Sequence, residues 1–329
     1  MSVFLSEGGF PALINYVLLS DNYIKKRMKK LLFWLIIFGG SLQAQSGKII
    51  TTNQVKSDIL NLAVDYTVYL PPSYDSSQRH YPILYLLHGA WDDHLGWVQW
   101  GDLHRLADAS FQSGLAPEMI VVMPNGLVDT FYQNSFDGKI RYEDFFFEEF
   151  IPEIESRYRV MPTVQSPKAR PFRAIAGQSM GGYGALYFTL KHPKMFNAVY
   201  TSSAGFIDIP RIYTKPFEKK LLDQTFAKIW GKSTTSGSFE HFRPNSIQFM
   251  IEQMNTEQIQ SLPPVFIECG DDDYLLDGNI EVATLLQEKK ATIEFRIFDG
   301  GHTPAYWRDK VDNILAFVGA QFLLWHTSP

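Results

Sequence analysis

The stretch from Arg173 to Leu190 constrains this chain more than any other. Arg173–Ala176 reads as a short buried strand, Gly177-Gln178-Ser179-Met180-Gly181 follows without a loop, and Gly181–Leu190 is helical in character and rich in small residues. A strand that passes into a helix within so few residues needs a very tight turn. Glycines at 177 and 181 let the flanking backbones approach where a β-carbon would not fit. A strand feeding directly into a helix is the repeating unit of parallel α/β architectures, so more such units are expected around it.

The alternation is legible along most of the chain. Leu62–Leu70 reads as an edge strand ended by Pro71-Pro72. Ile83–Leu87 and Met119–Met123 are continuous apolar runs, the pattern of strands covered on both faces. Ala198–Thr201, Val265–Glu268 and Ile293–Phe298 are further strands. Helical spacing marks Leu103–Phe111, Tyr142–Tyr158, Gly278–Glu288 and Ala305–Leu324. The expected fold class is α/β, a mostly parallel central sheet with helices on both faces. Residues 207–262 break the rhythm and read as an insertion over the carboxyl ends of the strands, the edge where open α/β sheets bind ligands. With no repeat and no low-complexity linker, residues 45–329 are expected to form one domain.

Composition excludes several classes. The 329 residues are 45% apolar and 20% charged, which rules out a disordered chain. A formal net charge of −5 and the lack of a basic, aromatic-interleaved stripe argue against a nucleic-acid partner. The single cysteine, Cys269, excludes internal disulfides and thiolate-rich zinc sites, and its apolar surroundings predict an inert buried thiol. Lys25, Lys26, Arg27, Lys29 and Lys30 precede the apolar run Leu31–Phe38, and Leu42-Gln43-Ala44 supplies a cleavage site ending at Ala44. Residues 1–44 are therefore expected to be an N-terminal extension and signal peptide, with translation starting at Met28 and the protein exported to a periplasm or beyond the cell. An uncleaved signal anchor is the alternative; the run is shorter than the roughly 20 residues of an ordinary membrane span. Residues 1–44 carry a net +3, so the remainder carries −8.

The chemistry centres on Ser179. Gly177-Gln178-Ser179-Met180-Gly181 fits G-x-S-x-G, and its strand-to-helix setting is that of the nucleophile elbow of α/β-hydrolases. A serine hydroxyl needs a base, and imidazole is the usual one. His302, in Gly300-Gly301-His302 after the last strand, holds the place of the base in the chain order serine, acid, histidine. His192 sits before Pro193 at a helix end and suits a terminal helix role. The acid falls in Glu268-Cys269-Gly270-Asp271-Asp272-Asp273, where three adjacent aspartates leave its identity open and admit metal binding as a rival. Met180 N–H is one expected oxyanion donor. The other comes from His88-Gly89-Ala90-Trp91, with Ala90 preferred over Trp91. No metal or organic cofactor is expected.

The chain resembles the esterase-D-like esterase family, which includes feruloyl and acetyl xylan esterases of carbohydrate esterase family 1, tributyrin-type carboxylesterases, S-formylglutathione hydrolases and mycolyltransferases. The carriers are Leu86-Leu87-His88-Gly89, Met123-Pro124-Asn125-Gly126, Tyr142-Glu143-Asp144-Phe145, Gly177 to Gly184, Cys269-Gly270 with Asp273, and Gly300-Gly301-His302 with Trp307. The resemblance spans roughly residues 50–325. It implies the α/β-hydrolase fold and selects Asp273, three positions after the glycine, as the acid. The chain departs from many relatives in Gln178 before the serine and in Pro304 two residues after the histidine, so acyl preference is not carried over. The expected function is hydrolysis of feruloyl, acetyl or short-chain acyl esters, on small molecules or plant polysaccharides, through an acyl-enzyme on Ser179. Trp91, Gln178 and Trp307 are candidate substrate contacts, and Trp91, Trp97, Trp100 and Tyr132 a candidate aromatic platform. Acyl transfer to a sugar hydroxyl, peptide hydrolysis and an inactive glycan-binding module are the competing readings.

Overall fold

The computed structural model describes residues 45–127, 130–163, 170–207, 226–232 and 239–324. The expected signal segment lies outside them, as does part of the 207–262 insertion. Ser46–Pro329 group into one unit. Among the described residues no helix is long and apolar enough to cross a membrane.

Among the described residues eight strands form one sheet: β1 Lys48–Ser57, β2 Leu62–Leu70, β3 Ile83–Leu87, β4 Ile120–Pro124, β5 Arg173–Gln178, β6 Val199–Ser202, β7 Val265–Gly270 and β8 Ile293–Phe298. Their order is β1-β2-β4-β3-β5-β6-β7-β8. β1 and β2 pair antiparallel, as do β2 and β4; every other neighbour is parallel. Leu62–Leu70 is thus not the edge strand the sequence predicts. β1 covers it, a polar strand (KIITTNQVKS) with only two buried residues and therefore no apolar signature. The order of strands reverses about β3 and β5, the kind of switch point at whose carboxyl ends open α/β sheets bind ligands.

Period-2 alternation splits β3 between two cores. Ile83, Tyr85 and Leu87 face one apolar cluster, Leu84 and Leu86 the other. The first is covered by the helical stretch α3 Tyr142–Phe145 and α4 Ile151–Arg157, by α5 Met180–Lys191 and by α8 Leu276–Glu288. Between α3 and α4, Phe146–Phe150 widens into a π turn just before Pro152, which lacks the amide hydrogen an α-helical bond would need. The second cluster lies under α2 Leu103–Gln112, which follows the short α1 Gly96–Gln99, and under the terminal α10 Val311–Leu324. The predicted helix 305–324 is in fact two, α9 Pro304–Arg308 and α10, with Thr303 capping α9 through its hydroxyl. The described part of the insertion includes α6 Ile247–Gln253 and α7 Thr256–Gln260, and α6 packs on α5 and α8.

Candidate active site

Ser179 stands between β5 and α5 with φ 53° and ψ −120°, a conformation that costs a non-glycine residue of order 1–3 kcal/mol. The surroundings hold it there. Its N–H donates to Ser202 O (3.0 Å), and its carbonyl accepts from Tyr183 N (3.0 Å) and Gly205 N (2.9 Å). A β-carbon at Gly181 would lie 2.5 Å from Leu87 O and 2.7 Å from His88 O; one at Gly177 would lie 2.4 Å from Gly181 C and O. Both glycines are thus required by close approach, as the turn predicts, and α5 rests directly on the end of β3.

Ser179 Oγ lies 3.0 Å from His302 Nε2, and His302 Nδ1 lies 2.9 Å from Asp273 Oδ2. A carboxylate only accepts, so Nδ1 carries the ring hydrogen and donates it to Asp273, which leaves Nε2 to accept from the serine hydroxyl. Asp273 also accepts from Leu275 N through Oδ1 (2.9 Å). Burial works to raise the Asp273 carboxyl. The hydrogen bond and charge of His302, with Leu275 N–H and the Ser203 hydroxyl, outweigh it and hold the group below its ordinary value.

Two loops bring the acid and the imidazole together. A β-carbon on Gly270 would sit 2.1 Å from Gly300 O, so the chain after β7 runs against the chain after β8. Asp271 N donates to Phe298 O and Asp272 N to Gly300 O, while Asp271 Oδ1 accepts from Gly300 N (3.0 Å). Of the three aspartates, Asp271 ties the loops, Asp272 is exposed, and Asp273 alone reaches the imidazole. Among the described residues no group of three or more His, Cys, Asp or Glu side chains is arranged to hold a metal ion. Cys269 is buried behind this loop, and burial pushes its thiol well up.

The loop after β3 presents the second face. Its His88 is a residue for which sequence reasoning had found no role. Gly126 N donates to His88 Nε2 (2.7 Å), and Nδ1 faces Gly89 O (2.7 Å). The ring therefore carries its hydrogen on Nδ1 and is neutral, and burial holds it below the ordinary imidazole range. A histidine between a buried strand and a glycine was the available signal. Among the described residues neither Ala90 N–H nor Met180 N–H donates to a protein acceptor. Gln178 is buried, with its amide so close to Gly89 that a β-carbon there would lie 2.4 Å from Nε2. Gln178 thus packs β5 onto the loop after β3.

The aromatic candidates separate. Trp97 and Tyr132 are buried, their polar atoms donating to Leu87 O (3.1 Å) and His88 O (2.9 Å), so both support the loop from beneath rather than form a platform. Trp100 is half-buried against Trp97 and Trp307, and donates to Asp92 Oδ2 (2.7 Å). Trp307 is buried and packs edge-on to His302 at 4.8 Å. Only Trp91 is open, 59% exposed at φ 60°. Tyr274, which the sequence did not single out, is 71% exposed with its ring 4.8 Å from that of His302. His192 serves the fold: with Lys191 and Tyr187 it binds the buried Glu143, fastening the end of α5.

Residues 57–318 match the family model described as "Putative esterase". The chain belongs to that family. An acetyl esterase of Caldicellulosiruptor saccharolyticus is 26% identical over 252 residues, 74% of this chain and 85% of that protein. An endo-1,4-beta-xylanase/feruloyl esterase of Xylanibacter ruminicola is 34% identical over 136 residues, 39% of this chain but only 18% of the much longer relative. A solved ferulic acid esterase is 33% identical, covering 84% of this chain and 99% of its own, with a TM-score of 0.70. This esterase thus has the α/β-hydrolase fold and is a carboxylic ester hydrolase.

Proposed function

We propose that this esterase works through Ser179, His302 and Asp273, with Ala90 N–H and Met180 N–H as the oxyanion hole. The observation that carries the reading is the hydrogen-bonded chain from Ser179 Oγ to His302 Nε2 and from Nδ1 to Asp273. Ser179 Oγ attacks the ester carbonyl carbon as its proton passes to His302 Nε2. The carbonyl oxygen takes the electron pair and is held by the two free N–H groups. Collapse breaks the bond to the alcohol oxygen, which receives the proton from Nε2. Water, deprotonated by the same imidazole, then releases the acid. Asp273 fixes the tautomer and stabilises the imidazolium without itself taking the proton.

The substrate class is a feruloyl, acetyl or short-chain acyl ester, and the setting is an exported enzyme acting on plant polysaccharide. Support for the acyl class comes from the likeness to acetyl and ferulic acid esterases. Support for export comes from the basic and apolar run before Gln45. The test is initial-rate hydrolysis of p-nitrophenyl acetate and butyrate, methyl ferulate and acetylated xylan by the wild type and Ser179→Ala. The wild type is expected to cleave at least one and to label with a fluorophosphonate, and the variant to do neither. A variant that keeps its activity would remove Ser179 from the mechanism.

A further inference from the structure

Tyr274 carries an inference about the half of the substrate that leaves first. It is the most exposed of the large apolar and aromatic side chains among the described residues. It directly follows Asp273, and its ring lies against the imidazole of His302 at 4.8 Å with an interplanar angle of 53°. Trp307 packs edge-on to the same imidazole but is buried. The proton carrier is therefore flanked by one buried ring and one exposed ring.

The chemistry decides which half of the ester meets the exposed ring. The carbonyl oxygen must turn toward Met180 and Ala90, while the alcohol oxygen must come within hydrogen-bond reach of His302 Nε2 to receive its proton. The alcohol must therefore pass beside the imidazole, and the exposed ring packed against that imidazole is Tyr274. Its backbone is fixed: Leu275 N donates to Asp273 Oδ1, Leu276 N to Asp273 O, and Asp273 N to Gly270 O, so the ring is presented by a rigid turn at the start of α8. Beside it in the chain, Asp271 and Asp272 are exposed. An aromatic face next to exposed carboxylates suits a neutral polyhydroxylated group, whose C–H face stacks and whose hydroxyls donate. The same carboxylates repel an anionic leaving group.

We propose that Tyr274 is a specificity-determining residue that stacks on the sugar alcohol of the polysaccharide ester taken as substrate above. The proposal rests on the assignment of Ser179 and His302 above and deepens it.

The test compares two esters of one acyl group, methyl ferulate and a feruloylated arabinose oligosaccharide, with the corresponding methyl and xylo-oligosaccharide acetates if acetyl is the group cleaved. The readout is the ratio of kcat/KM for the sugar ester to kcat/KM for the methyl ester. Tyr274→Ala is expected to lower that ratio about tenfold through KM on the sugar ester, the weight of one aromatic contact. Tyr274→Phe, which keeps the ring, is expected to retain it. An unchanged ratio in Tyr274→Ala overturns the proposal: if both esters lose rate together the ring acts only on His302, and if neither does it touches no substrate. A wild type that cleaves neither ester of either pair instead overturns the underlying reading, a result visible before any variant is made.

Discussion

Glu268→Gln isolates a carboxyl whose proton the fold retains. Glu268 is buried on β7 and accepts from the Tyr306 hydroxyl through Oε2, while Oε1 has no partner among the described residues. Burial raises its carboxyl to about 7 from an ordinary 4.5. Contacts from Ser202, Tyr306 and Lys310 offset this only in part, and the charge of Asp273 adds to it. The folded chain therefore keeps a proton that the unfolded chain has released. The stability this contributes is complete below the unfolded value and is lost as pH rises through 7. The gap between the folded and unfolded values corresponds to about 3 kcal/mol across the whole window, most of it falling between pH 5 and 8. Glutamine has the same shape, can still accept from Tyr306 and does not titrate. Urea unfolding followed by tryptophan fluorescence at pH 5 and pH 8 is expected to show the variant gaining on the wild type by about 2–3 kcal/mol between the two. Parallel stability curves for the two proteins over that range would refute the argument, because they would mean that Glu268 titrates alike folded and unfolded.

Two further substitutions test the triad and the turn. Asp273→Asn is expected to lower kcat by about 10³–10⁴ in the esterase assay with KM little changed, because an amide cannot hold the imidazole in its productive tautomer. Gly181→Ala sets two principles against each other. Helix propensity alone predicts a gain of about 1 kcal/mol, whereas the β-carbon would press on Leu87 O at 2.5 Å and His88 O at 2.7 Å. The contact wins, and denaturant unfolding is expected to show a loss of about 2 kcal/mol or more.

Much of this was legible from the residues, for identifiable reasons. Ile83–Leu87 and Ile293–Phe298 were bounded correctly, the first because a strand covered on both faces has only apolar side chains to show. Ser179 and His302, which the structure brings within hydrogen-bond distance, stand out in the residues because a tight strand-to-helix turn and a glycine pair after the last strand leave few alternatives. Three adjacent aspartates, by contrast, differ only in where the backbone points them, and the residues alone could not choose among them. β1 was missed because an edge strand with solvent on it lacks an apolar pattern. The break between α9 and α10 was missed because the apolar spacing continues across Asp309-Lys310. Aromatic type does not encode side: Trp97 and Tyr132 went inside, while Tyr274, with no signal but its neighbour Asp273, stayed out.

The seating of Gly181 on the last carbonyls of β3 has a consequence for how such an enzyme can diversify. The junction of β3 and β5 accepts no added atom at Gly177 or Gly181, so the loop after β3 and the turn that holds Ser179 are inherited as a block. The exposed side chains at Trp91, Asp272 and Tyr274 are under no such restriction. A lineage can therefore exchange one ester for another by rewriting those positions while the backbone beneath them stays fixed.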